Sequence, residues 1–245
     1  MNLSDINLRE KKFHNQLHAV GKGRSQNRYY KALYNLYDDF LNTLKNKTYS
    51  KEVLDYGCGM GSFTEQISSF KPKKLVAVDI SEEAIKKAKE NLKSENIDYR
   101  VENCEKLNLN SGTFDVAYGS GILHHLDLSK CISELHRVLK KDGTIIFVEP
   151  LATNPLINLY RKFTPKARSY DEHPFNFNDI KLIEKSFKNV KVKYYGFFTL
   201  IFFPFYKSPN DSKIFKFLSK IDQIFLKNKY LKFLAWSILI EAKKN

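Results

Sequence analysis

Short apolar runs and longer amphipathic stretches alternate along this chain. The runs at 52–56, 75–80, 98–102, 114–119, 143–149, 190–196 and 236–242 have strand length and are bounded by turn residues, while the apolar positions between them recur every three or four residues. That alternation predicts βαβ units closing a parallel sheet with helices on both faces. Ser81 is a suitable N-cap for a helix running through Lys93, with Glu82 and Glu83 in the first turn where the macrodipole favours negative charge. A second helix is expected over Ser129 to Lys140, stopped by Asp142-Gly143.

The first strand runs into Asp55-Tyr56-Gly57-Cys58-Gly59-Met60-Gly61, and the second ends at Asp79-Ile80. Alternating glycines let backbone groups approach a ligand, since no Cβ intervenes and positive φ carries no steric cost. A carboxylate at the end of the second strand, Asp79, is placed to accept hydrogen bonds from ribose hydroxyls, so the crevice suits a nucleoside. The dinucleotide fingerprint wants its third glycine three residues after the second, whereas here it comes after two, which disfavours a pyrophosphate ligand. A glycine turn that merely reverses the chain is the bland alternative, and Asp79 at this distance weighs against it.

This segment resembles the first motif of the class I S-adenosylmethionine-dependent methyltransferases, in which the turn passes under the amino-acid end of the cofactor. That cofactor carries a sulfonium and an ammonium but no phosphate, so a carboxylate such as Asp55 suits it electrostatically. The resemblance continues through Tyr99 to Leu107, where the family usually has Asp at the position of Asn103; an amide oxygen can still accept from an adenine amino group, and the Cys104 N–H can donate to the ring. It extends through Thr113 to Leu126 and Ile132 to Pro150, as in the small-molecule branch that includes ubiquinone and menaquinone methyltransferases. It implies a Rossmann-like, seven-stranded, mostly parallel sheet with the first strand in the middle. It also implies S-adenosyl-L-methionine held by Tyr30, Asp55, Gly57, Cys58, Gly59, Gly61, Asp79, Ile80, Asn103, Cys104 and Ser120.

One domain is expected over 1–245: a helical cap (1–48), a cofactor-binding core (49–150), a substrate-side lid (151–176), and C-terminal strands (177–245) carrying an insertion at 197–233. In the cap, Tyr29, Tyr30 and Tyr34 could face the cofactor or simply pack, and Gly21-Lys22-Gly23 is a hinge candidate. In the lid, Arg161, Arg168, Asp171 and Glu172 could bind an acceptor or pair with one another. The insertion has an aromatic run interrupted by Pro204, too short to span a bilayer, then apolar residues at 214, 217, 218, 221, 224 and 225 with lysines at 213, 216, 220 and 227. Such a basic amphipathic helix suits either a cap over an apolar pocket or peripheral membrane contact, and both point to a lipophilic or lipid-linked acceptor.

If the methylated atom is an oxygen, a base must take its proton, and histidine has a suitable pKa. His124 and His125, just past the fourth strand, are the first catalytic candidates and His173 the reserve, although a His-His pair there could equally order the loop. Composition adds three constraints. The 245 residues, 42% of them hydrophobic, suit one large core. Cys58, Cys104 and Cys131 lack metal-ligand spacing, so no metal is expected, and with no leader in evidence at the N-terminus they read as reduced thiols in a cytoplasmic, conceivably membrane-associated, protein. The net charge of +14 permits nucleic acid, anionic lipid or an acidic substrate, or reflects general lysine usage. An RNA methyltransferase and a non-catalytic scaffold are therefore the alternatives; the chain lacks an Asn-Pro-Pro-Tyr-like tetrapeptide after the fourth strand, and the intact motif argues against a scaffold.

Overall fold

The structure is a computed structural model that describes residues 3–19, 28–91, 96–164, 168–202 and 212–245, with 28–30 as backbone alone. Seven strands, β1 (Glu52–Tyr56), β2 (Lys74–Asp79), β3 (Ile97–Val101), β4 (Phe114–Ser120), β5 (Leu139–Pro150), β6 (Lys188–Tyr195) and β7 (Ser237–Lys243), form one sheet in the order β3-β2-β1-β4-β5-β7-β6. β7 is antiparallel to both its neighbours, and the other pairs are parallel. The expected sheet is therefore present, with β1 between β2 and β4.

The central strands are nearly continuous apolar runs because both of their faces are covered. On one face α2 (Tyr34–Thr48) places Leu36, Phe40 and Leu44, one turn apart, against Val53, Leu75, Val116 and Ile146. The other face is closed by α5 (Leu128–Val138) and α7 (Phe177–Ser186), whose Leu135, Ile180 and Ile183 meet Leu54, Val76 and Phe147. β6 forms an edge, and its lysines at 188, 191 and 193 blunt pairing with another chain.

Two helical segments differ from expectation, and a third agrees as far as it is described. α5 ends at Val138, not Lys140, because Leu139 already pairs with Phe114 as the start of β5; its N-cap is Asp127, which accepts from the Ser129 and Lys130 N–H groups. Ser81 does cap α4 (Glu82–Asn91), accepting from Ala84 N at 3.0 Å, and the expected extension to Lys93 falls outside the described residues. The stretch 151–176, expected as a substrate-side lid, contains α6 (Pro155–Phe163), capped by Asn154, and is anchored by buried Leu151 and Phe175, which bridge each other. Arg161 donates to Leu151 O and Asn158 Oδ1, Arg168 to Arg161 O, and Asp171 receives a two-pronged bond from Arg9 at 2.8 Å.

The insertion between β6 and β7 holds α8 (Phe198–Phe202) and α9 (Lys213–Phe225). The buried residues of α9 are Phe215, Leu218, Ser219 and Asp222, so of the apolar stripe read from the sequence Leu218 is buried and Ile221 and Phe225 are half-buried. Asp222 sets this rotation: its buried carboxylate accepts from the N–H groups of Phe197, Phe198 and Thr199 and from the Thr199 hydroxyl. Ile214, Phe217 and Ile224 are consequently 61%, 63% and 74% exposed. Among the described residues no helix is long and apolar enough to cross a membrane.

Candidate active site

The site begins where β1 ends. Gly57, at φ +80°, turns the chain so that its N–H and that of Cys58 both donate to Val78 O at 2.9 Å, tying the turn to β2. A Cβ at Gly57 would lie 2.5 Å from the Ile122 side chain, so the residue is required by packing as well as by conformation. Gly59, at φ +53°, has nothing closer to a virtual Cβ than His18 Cε1 at 4.0 Å; the space left there belongs to the cleft. Gly61, also left-handed, is the N-cap of α3 (Ser62–Ser68).

Two carboxylates brace the turn. Asp79 accepts from Gly59 N at 2.8 Å through one oxygen and from Ser81 N at 2.9 Å through the other, linking the glycine turn to the start of α4. Each oxygen keeps a second lone pair for a ligand hydroxyl. Asp55 is fully enclosed; its Oδ2 accepts from the Thr64 hydroxyl (2.6 Å) and the Tyr118 hydroxyl (2.8 Å). Burial pushes its carboxyl up to about 7, against the pull of those two donors. A cationic ligand beside it would favour the ionised form.

Asn103 and Cys104 form the next wall. The Asn103 amide oxygen accepts from Glu105 N (2.9 Å), and its NH2 group donates to Asn7 Oδ1 (3.1 Å), while the buried Tyr56 hydroxyl donates to Cys104 O and fixes the turn from beneath. The amide thus does what an acid could not, donating to the helix above.

That helix is α1 (Asp5–Ala19). It rests on α4 through Asn15, which bonds Ser81 Oγ and Glu82, and on the 151–176 segment through Arg9 and Asp171. Asn7, Glu10, His14 and His18, spaced three, four and four residues apart, share one face and line a cavity of about 580 Å3. The cavity is also lined by Asp55, Gly57, Cys58, Gly59, Asp79, Ile80, Asn103, Cys104, Ser120, His124 and His125, so the structure brings most of the expected set together. Gly61 and His173 are not in its lining: Gly61 shapes α3, and His173, exposed, donates its backbone N–H to His124 O. The Tyr30 side chain and the 21–23 hinge lie outside the described residues. Tyr34 lines the mouth, 6.4 Å ring to ring from Phe215 of α9.

The two histidines have distinct surroundings. His124 is sealed; its Nδ1 lies 2.6 Å from Glu149, whose other oxygen accepts from the Ile122 and Leu123 N–H groups, and its Nε2 lies 3.8 Å from Glu172. Burial pushes the Glu149 carboxyl up to about 7 despite those donors. His125 faces the lid: Nδ1 is 3.0 Å from Glu10 and 3.2 Å from the Ser169 hydroxyl, and its ring stands edge-on to His14. Burial pushes the Glu10 carboxyl up, and the adjoining His125 and His14 imidazoles more than reverse that, holding it well below the usual carboxylate range. The cap residues of α1 are legible only as spacing: polar positions at 7, 10, 14 and 18 form a helical stripe, which on sequence alone looks like a solvated face.

The cleft lies under the glycine turn, with Asp79 and Asp55 both in its wall, as the sequence reading expects of a nucleoside cofactor site. Residues 54–147 match the family described as Methyltransferase domain, which places this segment among the class I S-adenosylmethionine-dependent methyltransferase domains. It is 36% identical over 107 residues to the ubiquinone/menaquinone biosynthesis C-methyltransferase UbiE of Citrifermentans bemidjiense, covering 41% of this chain and 46% of that protein. It is 34% identical over 103 residues to the ribosomal protein L11 methyltransferase of Thermotoga maritima, covering 41% of this chain and 38% of that one. The chain therefore spans less than half the length of these relatives. The N-methyltransferase NodS from Bradyrhizobium japonicum, solved with S-adenosyl-L-homocysteine, superposes with a TM-score of 0.65 over 96% of this chain and 97% of its own at 14% identity, a likeness of fold.

Proposed function

We propose that the protein transfers a methyl group from S-adenosyl-L-methionine to an oxygen of a small lipophilic or lipid-linked acceptor, met at an anionic membrane surface. The reading rests on one observation: a single cavity joins the glycine turn and Asp79 to the His125 cluster, and its mouth abuts the helix with the exposed apolar stripe.

The residues present suit this cofactor, since Gly59 leaves room where a Cβ would intrude, Asp79 retains lone pairs for the ribose, and Asp55 offers negative charge near the turn. When bound, the cofactor supplies an electrophilic methyl group on a sulfonium. The protein's part is alignment, exclusion of water and management of the acceptor's proton. α1 and its contacts to α4 and Asp171 close the cleft from above. His125, on the cavity wall, is the candidate for dealing with a hydroxyl proton, and His124, held by Glu149, orders the loop that carries it.

At the mouth, residues 212–233 contain lysines 213, 216, 220, 227, 229 and 232, and their single acid, Asp222, is buried. Positive charge interleaved with exposed Ile214, Phe217 and Ile224 is the arrangement of an interfacial helix. Thermal-shift screening with S-adenosyl-L-homocysteine against quinone precursors, phenols and lipid-linked sugars, followed by mass analysis of turnover, tests the acceptor. A lipophilic hydroxyl compound should stabilise the complex and gain 14 mass units, roughly one CH2 as in any methylation; methylation confined to carbon, nitrogen or RNA would refute the oxygen assignment. With that acceptor, His125→Ala should lower kcat by about 100-fold with little change in cofactor affinity. An unchanged rate at saturating acceptor would remove His125 from the chemistry.

A further inference from the structure

Glu10 is out of place by ordinary rules. It is 3% exposed, and among the described residues neither of its oxygens has an aligned hydrogen-bond donor, yet His125 Nδ1 stands 3.0 Å and His14 Nε2 3.4 Å from Oε2. A carboxylate oxygen and an imidazole nitrogen drawn this close need positive charge between them, either an imidazolium proton or a shared metal cation. Atoms bound to a common ion at about 2.0–2.2 Å stand roughly 2.8–3.6 Å apart for angles at the ion between about 90° and 109°. The observed separations match, and the three donor atoms all lie within 4.8 Å of one another.

We propose that Glu10, His14 and His125 bind a divalent transition-metal ion of the zinc class, joining the lid helix to the loop after β4. Two imidazoles and a carboxylate form a nitrogen and oxygen donor set suited to zinc, cobalt or iron rather than to magnesium or calcium. The Ser169 hydroxyl, 3.2 Å from His125 Nδ1, borders the same point. All three ligands line the cavity, so a coordination position remains open toward the acceptor. This inference deepens the methyl-transfer reading and rests on it for its purpose: an acceptor hydroxyl bound at the open position would lose its proton to solvent more readily. The alkoxide or phenoxide oxygen would then form the new C–O bond as the C–S bond breaks, leaving neutral S-adenosyl-L-homocysteine. His125 would act as a ligand in that step and not as the base itself.

The test needs no acceptor. Full-length protein without a polyhistidine tag, stripped with a chelator and dialysed, is titrated with Zn2+ by calorimetry and with Co2+ by visible absorption. One ion per chain is expected, with the d–d bands of a low-symmetry cobalt site. Glu10→Gln and His14→Ala should each weaken binding by about tenfold or more. Circular dichroism melts and calorimetry with S-adenosyl-L-homocysteine report folding and the cofactor site separately. Failure to bind either ion, or equal binding by the folded variants, would overturn the metal site while leaving methyl transfer intact; loss of cofactor binding with metal retained would do the reverse.

Discussion

Each glycine of the turn does different work, and substitution separates them. Gly57→Ala puts a Cβ 2.5 Å from Ile122 at a left-handed φ, so it should destabilise the fold by about 2–3 kcal/mol as well as abolish cofactor binding. Gly59→Ala meets open space and pays only the left-handed conformation, about 1 kcal/mol, but its methyl group enters the cleft. It should therefore keep most of the melting temperature and lose most of the cofactor affinity; calorimetry beside thermal melts would show the split. Asp55 makes a pH prediction. Its folded pKa, about 7, lies above the ordinary aspartate value of 3.8, so between those values the folded state holds a proton that the unfolded chain releases. Stability should fall as pH rises from 4 to 7 and level off above, and Asp55→Asn should flatten that slope, as urea denaturation at pH 5, 6 and 7 would reveal. Binding a cationic cofactor should release this proton near pH 6.5, so the calorimetric enthalpy should vary with the buffer's ionisation heat in the native protein and much less in the variant. These residues were legible because the information is local: three glycines and two carboxylates specify a turn without reference to the rest of the chain.

Elements were legible in kind more readily than in orientation. The strands fall within two residues of the expected bounds except for β5, which begins four residues early because Leu139 pairs across a bulge beside the Asp142-Gly143 turn. α1 and α9 show what pattern cannot supply. A polar stripe on α1 faces inward because a cofactor-sized cavity lies beneath it, and Ile214, Phe217 and Ile224 of α9 face outward because one carboxylate fixes the helix's rotation. Asp222 accepts from four donors, three of them backbone N–H groups at the start of α8. Asp222→Ala would leave those donors without their acceptor, and should cost about 3 kcal/mol, felt first by α8 and α9. Hydrogen exchange should show protection lost over 197–202 and 213–225 while β1 to β5 stay protected. Uniform loss across the sheet would mean that this unit is part of the global core.

At the scale of the molecule, the charge of +14 bears on function through its placement. A general excess of lysine would scatter, and much of it does, as in the edge lysines of β6. Lysines 213, 216 and 220 differ because they share α9 with exposed Ile214, Phe217 and Ile224, while Asp222, the one acid of 212–233, is turned inward. Each lysine near an anionic bilayer contributes about 1 kcal/mol, screened within a Debye length, and each buried apolar side chain adds to it. Neither contribution suffices alone, so binding should require both. The protein should sediment with vesicles containing anionic phosphatidylglycerol and much less with neutral phosphatidylcholine, and salt should release it. Ile214→Ser with Phe217→Ser should abolish sedimentation without altering cofactor affinity, because these side chains point away from the cavity. Equal loss on neutral and anionic vesicles, or salt-sensitive retention by RNA that outcompetes the lipid, would reassign the basic face and leave α9 as a cap over the acceptor pocket.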